Sequence, residues 1–350
     1  MTNPPGAREV APPHRFDEAR LQAWLAENLP DFDGAVSVRQ FEGGQSNPTF
    51  LLESASGRLV LRKKPPGKLA PSAHAIDREY RVLNALADSG VPAPRTRIYC
   101  SDETIVGTPF YLMEFVEGRI FTDPLLPQQT APERTALYDA MNDALARLHL
   151  FDWRGAGLDD FGKPDAFFER QIARWKKQYE LTRTEAIPEM DALLEWLPAN
   201  VPDDNAAAIA HGDFRIGNLV FHKSEPRVVA ILDWELSTVG HPIADLAFNC
   251  MGYHLAHDDP VARGFVGVDL AKLGIPEERD YVAAYGRRTG RDPAPLWRFA
   301  MAFSLFRTAA IQQGVYARAL QGNAASSDAF QFRDTARRVA AAGAALIRSA

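Results

Sequence analysis

At residues 117 and 118 the sequence changes its periodicity, and a chain built that way must place a small sheet-bearing unit before a larger helical one. Ahead of the change, residues 37–41, 49–53 and 58–62 are short β-prone runs, and Ser54-Ala55-Ser56-Gly57 separates the last two as a hairpin turn would. Pro71-Ser72 introduces a helical stretch that runs to about Ser89. Ile76, Tyr80, Leu83 and Ala87 recur there at helical spacing, and Gly90 supplies the stop. Two further strands are expected at 95–100 and 109–115. Three strands, one helix and two strands make an α+β unit of about 80 residues, with the helix packed on an antiparallel sheet.

Beyond Glu117-Gly118 the pattern is helical. Thr130-Ala131-Pro132-Glu133 reads as a capping box, and Leu137, Met141, Leu145 and Leu148 form one apolar stripe behind it. Long helices are expected at 166–182, 278–289, 295–320 and 328–348. One compact β-rich stretch, 206–234, interrupts them with a strand pair at 218–221 and 227–232. Upstream, residues 1–15 are rich in Pro and small polar residues and read as a flexible tail. A short helix carrying Phe16, Leu21, Trp24, Leu25 and Leu29 follows. The expected division is therefore a tail over 1–15, a small unit over 16–117 and a helical unit over 118–350.

Composition narrows the function classes. The 350 residues are 46% hydrophobic and 24% charged, enough for one large core or two ordinary ones. The formal charge of -6 gives no support to a nucleic-acid footprint. Cys100 and Cys250 stand far apart without a Cys-x-x-Cys spacing, which fits buried thiols in a reducing compartment. No run of about 18 apolar residues is present, and the start MTNPPGAREVAPPHR is polar, so no membrane partner and a cytoplasmic location are expected.

The chemistry concentrates in His211-Gly212-Asp213-Phe214-Arg215-Ile216-Gly217-Asn218, followed fifteen residues after Asn218 by Asp233 in Ile231-Leu232-Asp233-Trp234-Glu235. Three oxygen-bearing side chains thus come from two neighbouring loops. Mg²⁺ takes oxygen donors and keeps waters and substrate phosphates in its shell, so Asn218 and Asp233 would complete a nucleotide-bound site. Asp213 is then left to accept a proton from an attacking hydroxyl. Asp and Asn also serve loops by satisfying local backbone groups, and the spacing alone does not separate the two roles. His254-x2-His257-Asp258-Asp259 has no second ligand pair to close a zinc site and reads as a polar loop. No Gly-x-Ser-x-Gly elbow and no Walker A sequence are present.

His211-Gly212-Asp213 with Asn218, then Asp233-Trp234-Glu235, resembles the catalytic loop and metal-binding Asp of the aminoglycoside phosphotransferase and choline kinase family, distant relatives of protein kinases. The similarity extends over roughly residues 35–320. It is closest to the branch fused to acyl-CoA dehydrogenases in animals, through stretches like Val60-Leu61-Arg62-Lys63-Lys64-Pro65-Pro66-Gly67 and Arg78-Glu79-Tyr80-Arg81-Val82-Leu83. The resemblance implies a bilobal α+β fold of the protein-kinase type, an ATP- or GTP-dependent and Mg²⁺-dependent phosphoryl transfer, and a small-molecule hydroxyl as acceptor. It also implies roles. Arg62 ends the strand that carries the phosphate-binding Lys in the wider family, a departure that keeps the charge and changes the geometry. Val60, on the same strand face, would line the adenine pocket, and Glu79 would be the ion-pair partner of Arg62.

In the same resemblance Phe41-Glu42-Gly43-Gly44-Gln45-Ser46-Asn47 takes the place of the nucleotide-covering loop, with Gly43, Gly44, Ser46 and Asn47 near the phosphates; a plain hairpin turn reads the same way. Tyr111-Leu112-Met113-Glu114-Phe115-Val116 resembles the hinge, where the backbone of Glu114 and Val116 would read the adenine edge, and it equally fits an edge strand entering a linker. Asp245 is expected to brace the catalytic loop from a helix N-terminus. Arg307 and Tyr316, on the helix at 295–320, are candidates to face the acceptor, with helix surface and core as the competing reading. The acceptor expected from the branch is a hydroxylated acyl thioester or another metabolite. A catalytically inactive kinase-like nucleotide-binding module remains the rival class, kept open by Arg62. A flavin-dependent dehydrogenase does not fit, because the motifs already fill residues 41–247.

Overall fold

The computed structural model describes residues 6–41, 47–65, 75–321 and 327–348. The chain forms two compact units: Met1–Glu117 together with Ala230–Glu235, and Gly118–Val229 together with Leu236–Ala350. The first unit's long segment ends at Glu117. Six residues of the β-rich stretch return to that unit, and the cause is packing, since Ala230, Ile231 and Trp234 are buried and Ile231 N–H donates to the Pro92 carbonyl at 2.9 Å.

In the first unit six strands, β1 (Ala7–Arg8), β2 (Ser37–Phe41), β3 (Thr49–Ser54), β4 (Gly57–Lys63), β5 (Thr96–Cys100) and β6 (Phe110–Glu114), form one antiparallel sheet in the order β1-β2-β3-β4-β6-β5. Three helices accompany them: α1 (Glu18–Asn28), α2 (Ile76–Leu86) and α3 (Glu103–Val106). Within the stretch read as a tail, Ala7 and Arg8 pair with Phe41 and Gln40, and Pro12–His14 adds one turn of 3-10 helix. Strand alternation sorts the sheet into two faces. Phe50, Leu52, Leu59, Leu61, Phe110 and Leu112 pack with Leu21 and Leu25 of α1. Arg62 and Tyr111, paired across β4 and β6, occupy the opposite face.

On α2 the buried stripe is Ile76, Glu79, Val82, Leu83 and Leu86, rotated from the one expected: Tyr80 is half-buried and Ala87 is exposed. A carboxylate at an apolar stripe position is the local irregularity that matters below. It goes to the core side because partners wait for it there.

The second unit contains α4 (Ala131–Leu150), α5 (Phe167–Thr182), α6 (Pro188–Ala199), α7 (Pro242–Cys250), α8 (Leu270–Leu273), α9 (Glu278–Thr289), α10 (Ala294–Leu320) and α11 (Phe332–Arg348). Short strands β7 (Ala208–Ala210), β8 (Leu219–Phe221), β9 (Val228–Ile231) and β10 (Thr238–Gly240) interrupt them; β7 pairs antiparallel with β10, and the chain passes from the second unit into the first along β9. The Thr130 capping box forms as expected, with side chain and backbone of Thr130 and Glu133 satisfying each other. Helix α10 is buried over most of its circumference, from Phe299 to Phe306 and again at Ala309 and Ala310, and packs on α5, α6, α7 and α11. Among the described residues no helix is long and apolar enough to cross a membrane. Cys100 and Cys250 are buried free thiols.

Gly118 opens the second unit under a tight contact: a Cβ there would lie 2.2 Å from the Phe221 carbonyl oxygen, beside the Arg119–Phe221 bridge. Gly118→Ala should cost about 3 kcal/mol, because the obstacle is backbone that cannot rotate away. Thermal unfolding measures it, and an unchanged melting temperature would contradict the contact.

Candidate active site

Arg62 is the centre of a polar cluster inside the first unit. Its Nε lies 2.6 Å from Glu79 Oε2, its NH2 group lies 2.8 Å from Asp233 Oδ1, and Glu235 stands 3.8 Å away. Burial alone would lower the guanidinium's pKa, but Glu79, Asp233 and Glu235 outweigh it and hold the group above its ordinary value. Lys63, the next residue, takes no part. Strand alternation turns it to the α1 face, where its ammonium donates to the Val106 carbonyl over the Phe16 ring, and burial lowers its pKa to about 8. The fixed cation facing Glu79 is therefore Arg62.

Glu79 is held by more than Arg62. Asn47 Nδ2 donates to its Oε1 at 2.6 Å and the Tyr111 hydroxyl to its Oε2 at 3.1 Å, with all three residues buried. Asn47, expected beside the phosphates, has a fully buried side chain that positions Glu79. Tyr111 is a member of the cluster that sequence reasoning missed, since nothing in the pattern of a strand tells which partner a buried hydroxyl finds. Removing either donor leaves a buried carboxylate short of one hydrogen bond. Asn47→Ala and Tyr111→Phe should each destabilise the protein by about 1–3 kcal/mol, seen in denaturant unfolding. A cost near zero for both would mean that Glu79 does not depend on them.

Asp233 has φ +67°, a left-handed backbone that non-glycine residues adopt at a cost of about 1–3 kcal/mol. Its side chain is 36% exposed, so one carboxylate oxygen meets Arg62 while the group stays accessible. Val60 is buried on the Arg62 face of β4 opposite Met113. The Glu114 N–H donates to the Arg95 carbonyl at 2.8 Å, which leaves only the carbonyl of Glu114 to read a base edge; Val116 follows outside the strand, half-buried. Gly43, Gly44 and Ser46 lie outside the described residues.

The second unit carries the loop that leaves β7. Gly212 has φ +85°, and a Cβ there would lie 2.9 Å from Leu236, so this position requires glycine. Both peptide groups of the turn are fixed by charge. The buried Asp245 carboxylate, at the first turn of α7, accepts the N–H groups of His211 and Gly212, the latter at 2.9 Å. Burial would raise the Asp245 carboxyl, but His149, His211 and the backbone donors hold it below the ordinary range. His149 in turn contacts Tyr285, with Nδ1 2.7 Å from the hydroxyl. On the other side the Gly212 carbonyl accepts from Arg307 at 2.6 Å. Burial lowers the pKa of this guanidinium, and Asp245 and Asp213 act against the shift.

Asp213 follows on the fixed turn. Its Oδ2 accepts from Asn218 Nδ2 at 2.8 Å and lies 3.4 Å from Arg215 Nε. The Asp213 N–H donates to His211 Nδ1 at 3.2 Å, so that nitrogen is an acceptor within the loop. The 3-10 turn Ile216–Asn218 brings Asn218 back, and the same amide also donates to the Asp213 carbonyl at 2.9 Å. With its nitrogen engaged, Asn218 offers its amide oxygen to a cation. Taken separately, Asn218 offers an amide oxygen and Asp233 an accessible carboxylate, each a hard oxygen donor of the type that Mg²⁺ takes. His254 contacts Glu278 and Asp259 pairs with Arg338, so the His254–Asp259 loop is engaged structurally. Arg307 meets the Gly212 turn, whereas Tyr316, nine residues and about 13 Å further along α10, packs its ring against Phe330.

The sequence model of the phosphotransferase enzyme family (APH) matches residues 37–298. Acyl-CoA dehydrogenase family member 10 of Mus musculus is 48% identical over 328 residues, covering 93% of this chain and 31% of that protein. Acyl-CoA dehydrogenase family member 11 of Rattus norvegicus is 44% identical over 346 residues, covering 97% of this chain and 44% of that protein. The chain spans less than half the length of these curated relatives. Among solved structures, a Ralstonia eutropha JMP134 protein assigned as an aminoglycoside phosphotransferase matches with a TM-score of 0.86 at 46% identity, covering 95% of this chain and 98% of that one. A thermostable mutant of aminoglycoside phosphotransferase APH(4)-Ia, in ternary complex with ADP and hygromycin B, matches with a TM-score of 0.60 at 15% identity, covering 94% and 99%. The fold is α+β and kinase-like, as the motifs implied.

Proposed function

The chain belongs to the phosphotransferase enzyme family, and from that premise we propose that it is an ATP- and Mg²⁺-dependent kinase acting on a hydroxyl of a small molecule. The observation that carries this reading is the catalytic turn: a carboxylate on a loop whose peptide groups are clamped by Asp245 and Arg307, hydrogen-bonded to the Asn five residues on. A turn held that firmly keeps Asp213 in one geometry through a reaction. Asp213 accepts the proton of the acceptor hydroxyl as its oxygen bonds to the γ-phosphorus, and the bond to the β-phosphate oxygen breaks to leave ADP.

Asn218 and Asp233 would hold Mg²⁺, which supplies charge neutralisation on the phosphates. Arg62, kept in place by Glu79, lies beside Asp233 and gives the phosphates a fixed cation. Val60 and the backbone at Glu114 and Val116 take the base. The partner is a small-molecule acceptor, and the reaction is placed in the cytoplasm. Because the curated relatives carry acyl-CoA dehydrogenase names, a hydroxyacyl-CoA is the first acceptor to test. The experiment is a phosphoryl-transfer screen with ATP and GTP over hydroxyacyl-CoAs, sugars, amino alcohols and aminoglycosides. Nucleotide binding without transfer to any of them would favour an inactive nucleotide-binding module instead.

A further inference from the structure

Positive charge gathers around Asp213 beyond what proton transfer requires. Arg215 lies against the Asp213 carboxylate. Arg307 reaches the carbonyl of the residue just before it, and its guanidinium carbon stands 5.5 Å from the centre of the Trp175 ring and 5.3 Å from that of Phe248. Arg174, on the same α5 helix as Trp175, stands 5.4 Å from the same indole. Among the described residues neither Arg174 nor Arg307 has a carboxylate in ion-pair contact, and the buried Trp175 Nε1 has no hydrogen-bond partner.

Two of these facts, the unsatisfied Trp175 N–H and the half-buried Arg307 guanidinium without an ion-paired carboxylate, are costly in isolation. A buried N–H is normally satisfied, and a guanidinium drawn out of water needs a counter-charge. Arg307 has five N–H donors in a rigid fork, and one contact to a carbonyl leaves most of them unspent. It is half-buried, so a ligand can still reach it. One kind of group answers both needs at once, an anion with two or more oxygens, and the exposed Arg174 adds its charge to the attraction.

We propose that Arg307, Trp175 and Arg174 form an anion subsite that binds a carboxylate or phosphate group of the acceptor, so that the acceptor is an anionic hydroxy compound rather than a polyamine or amino sugar. This rests on Asp213 as the proton acceptor and deepens that reading by naming the substrate class. Arg174 and Arg307 attract the anionic end while the hydroxyl meets Asp213 next to Gly212. A cationic acceptor would meet three like charges instead, which is discrimination by repulsion as well as by attraction.

The test uses the full chain with ATP and Mg²⁺ and four acceptors: 3-hydroxybutyrate, its methyl ester, its CoA thioester and ethanolamine. The acid or the CoA thioester should exceed the ester and ethanolamine in kcat/KM by about 10- to 100-fold, the range expected for hydrogen bonds to a charged group. The acid leading identifies a carboxylate; the CoA thioester leading identifies a phosphate. Arg174→Ala, exposed and away from the turn, should raise the KM of the preferred acceptor about tenfold with the KM of ATP unchanged. Arg307→Lys keeps a cation for the Gly212 carbonyl, loses the fork and should do the same. Equal use of the ester or ethanolamine, or an unchanged acceptor KM in both variants, overturns the subsite and leaves the phosphotransferase reading intact. If no acceptor is phosphorylated, that reading fails and binding decides the subsite. Thermal stabilisation by the free acid or by CoA that Arg174→Ala abolishes upholds it, and absence of stabilisation in the unaltered protein overturns it.

Discussion

Asp213→Ala should lower turnover by about 10²–10⁴-fold and leave the fold and nucleotide binding in place. The size follows from the proposed role: there the carboxylate would touch only the acceptor's proton, so its loss would remove acceleration of the chemical step and little ground-state affinity. The fold survives because the turn is held by groups other than this side chain. Asp245 fixes the N–H groups of His211 and Gly212, Arg307 fixes the Gly212 carbonyl, and Asn218 keeps its bond to the Asp213 carbonyl after the carboxylate is gone. Steady-state kinetics with the best acceptor from the screen, beside a melting curve, separates the two effects. Turnover equal to that of the unaltered protein would remove Asp213 from the reaction. Asp213→Asn gives the sharper control, since it retains the contact surface and loses only the basicity.

Asp233→Ala should abolish the Mg²⁺-dependent part of ATP binding. In the unaltered protein, ATP with Mg²⁺ at about a hundred times its dissociation constant should stabilise the folded state by about 2.7 kcal/mol, a shift of roughly 4 °C in melting temperature. In the variant that increment over ATP alone should vanish. Two features of the residue shape the result. Its left-handed backbone is uncomfortable for Ala, so some loss of basal stability is expected as well. Asp233→Asn avoids that strain, keeps an oxygen for Arg62 and removes the negative charge, so it reports on the cation alone. There is also competition: Arg62 already neutralises the carboxylate at 2.8 Å, and Mg²⁺ must share or displace that contact. A full Mg²⁺-dependent shift in both variants would take Asp233 out of the metal site.

Much of this was legible from residue types and spacing. Strands β2 to β6 of the first unit, the hairpin at 54–57, the Thr130 capping box and the 3-10 turn that returns Asn218 to Asp213 all rest on signals within a few residues, where local sequence and final structure agree. What was hidden depended on distant partners. The α2 stripe was read through Tyr80 and Ala87 because Glu79 is not apolar, yet Glu79 is buried by three donors from β4, β6 and the segment before β3. The signal was present in principle, a carboxylate at an apolar helical position. Asn47 was placed with the phosphates because it follows the glycines, and its burial could not be seen from that position. Helices α6 and α7 escaped the list of long helices, α6 because Pro198 lies inside it and α7 because it is only nine residues long.

The return of Ala230–Glu235 to the first unit has a consequence for recombination. An exchange of lobes between relatives cut at residue 117 would transplant Arg62 and Glu79 and leave Asp233 and Glu235 behind, breaking the cluster with two carboxylates in one parent and two other residues in the next. The heritable module is discontinuous: 1–117 plus six residues from a hairpin more than a hundred positions later. A functional hybrid has to carry both pieces from the same parent, and in the lineage of such chains Arg62 and its distant carboxylates are expected to change together or not at all.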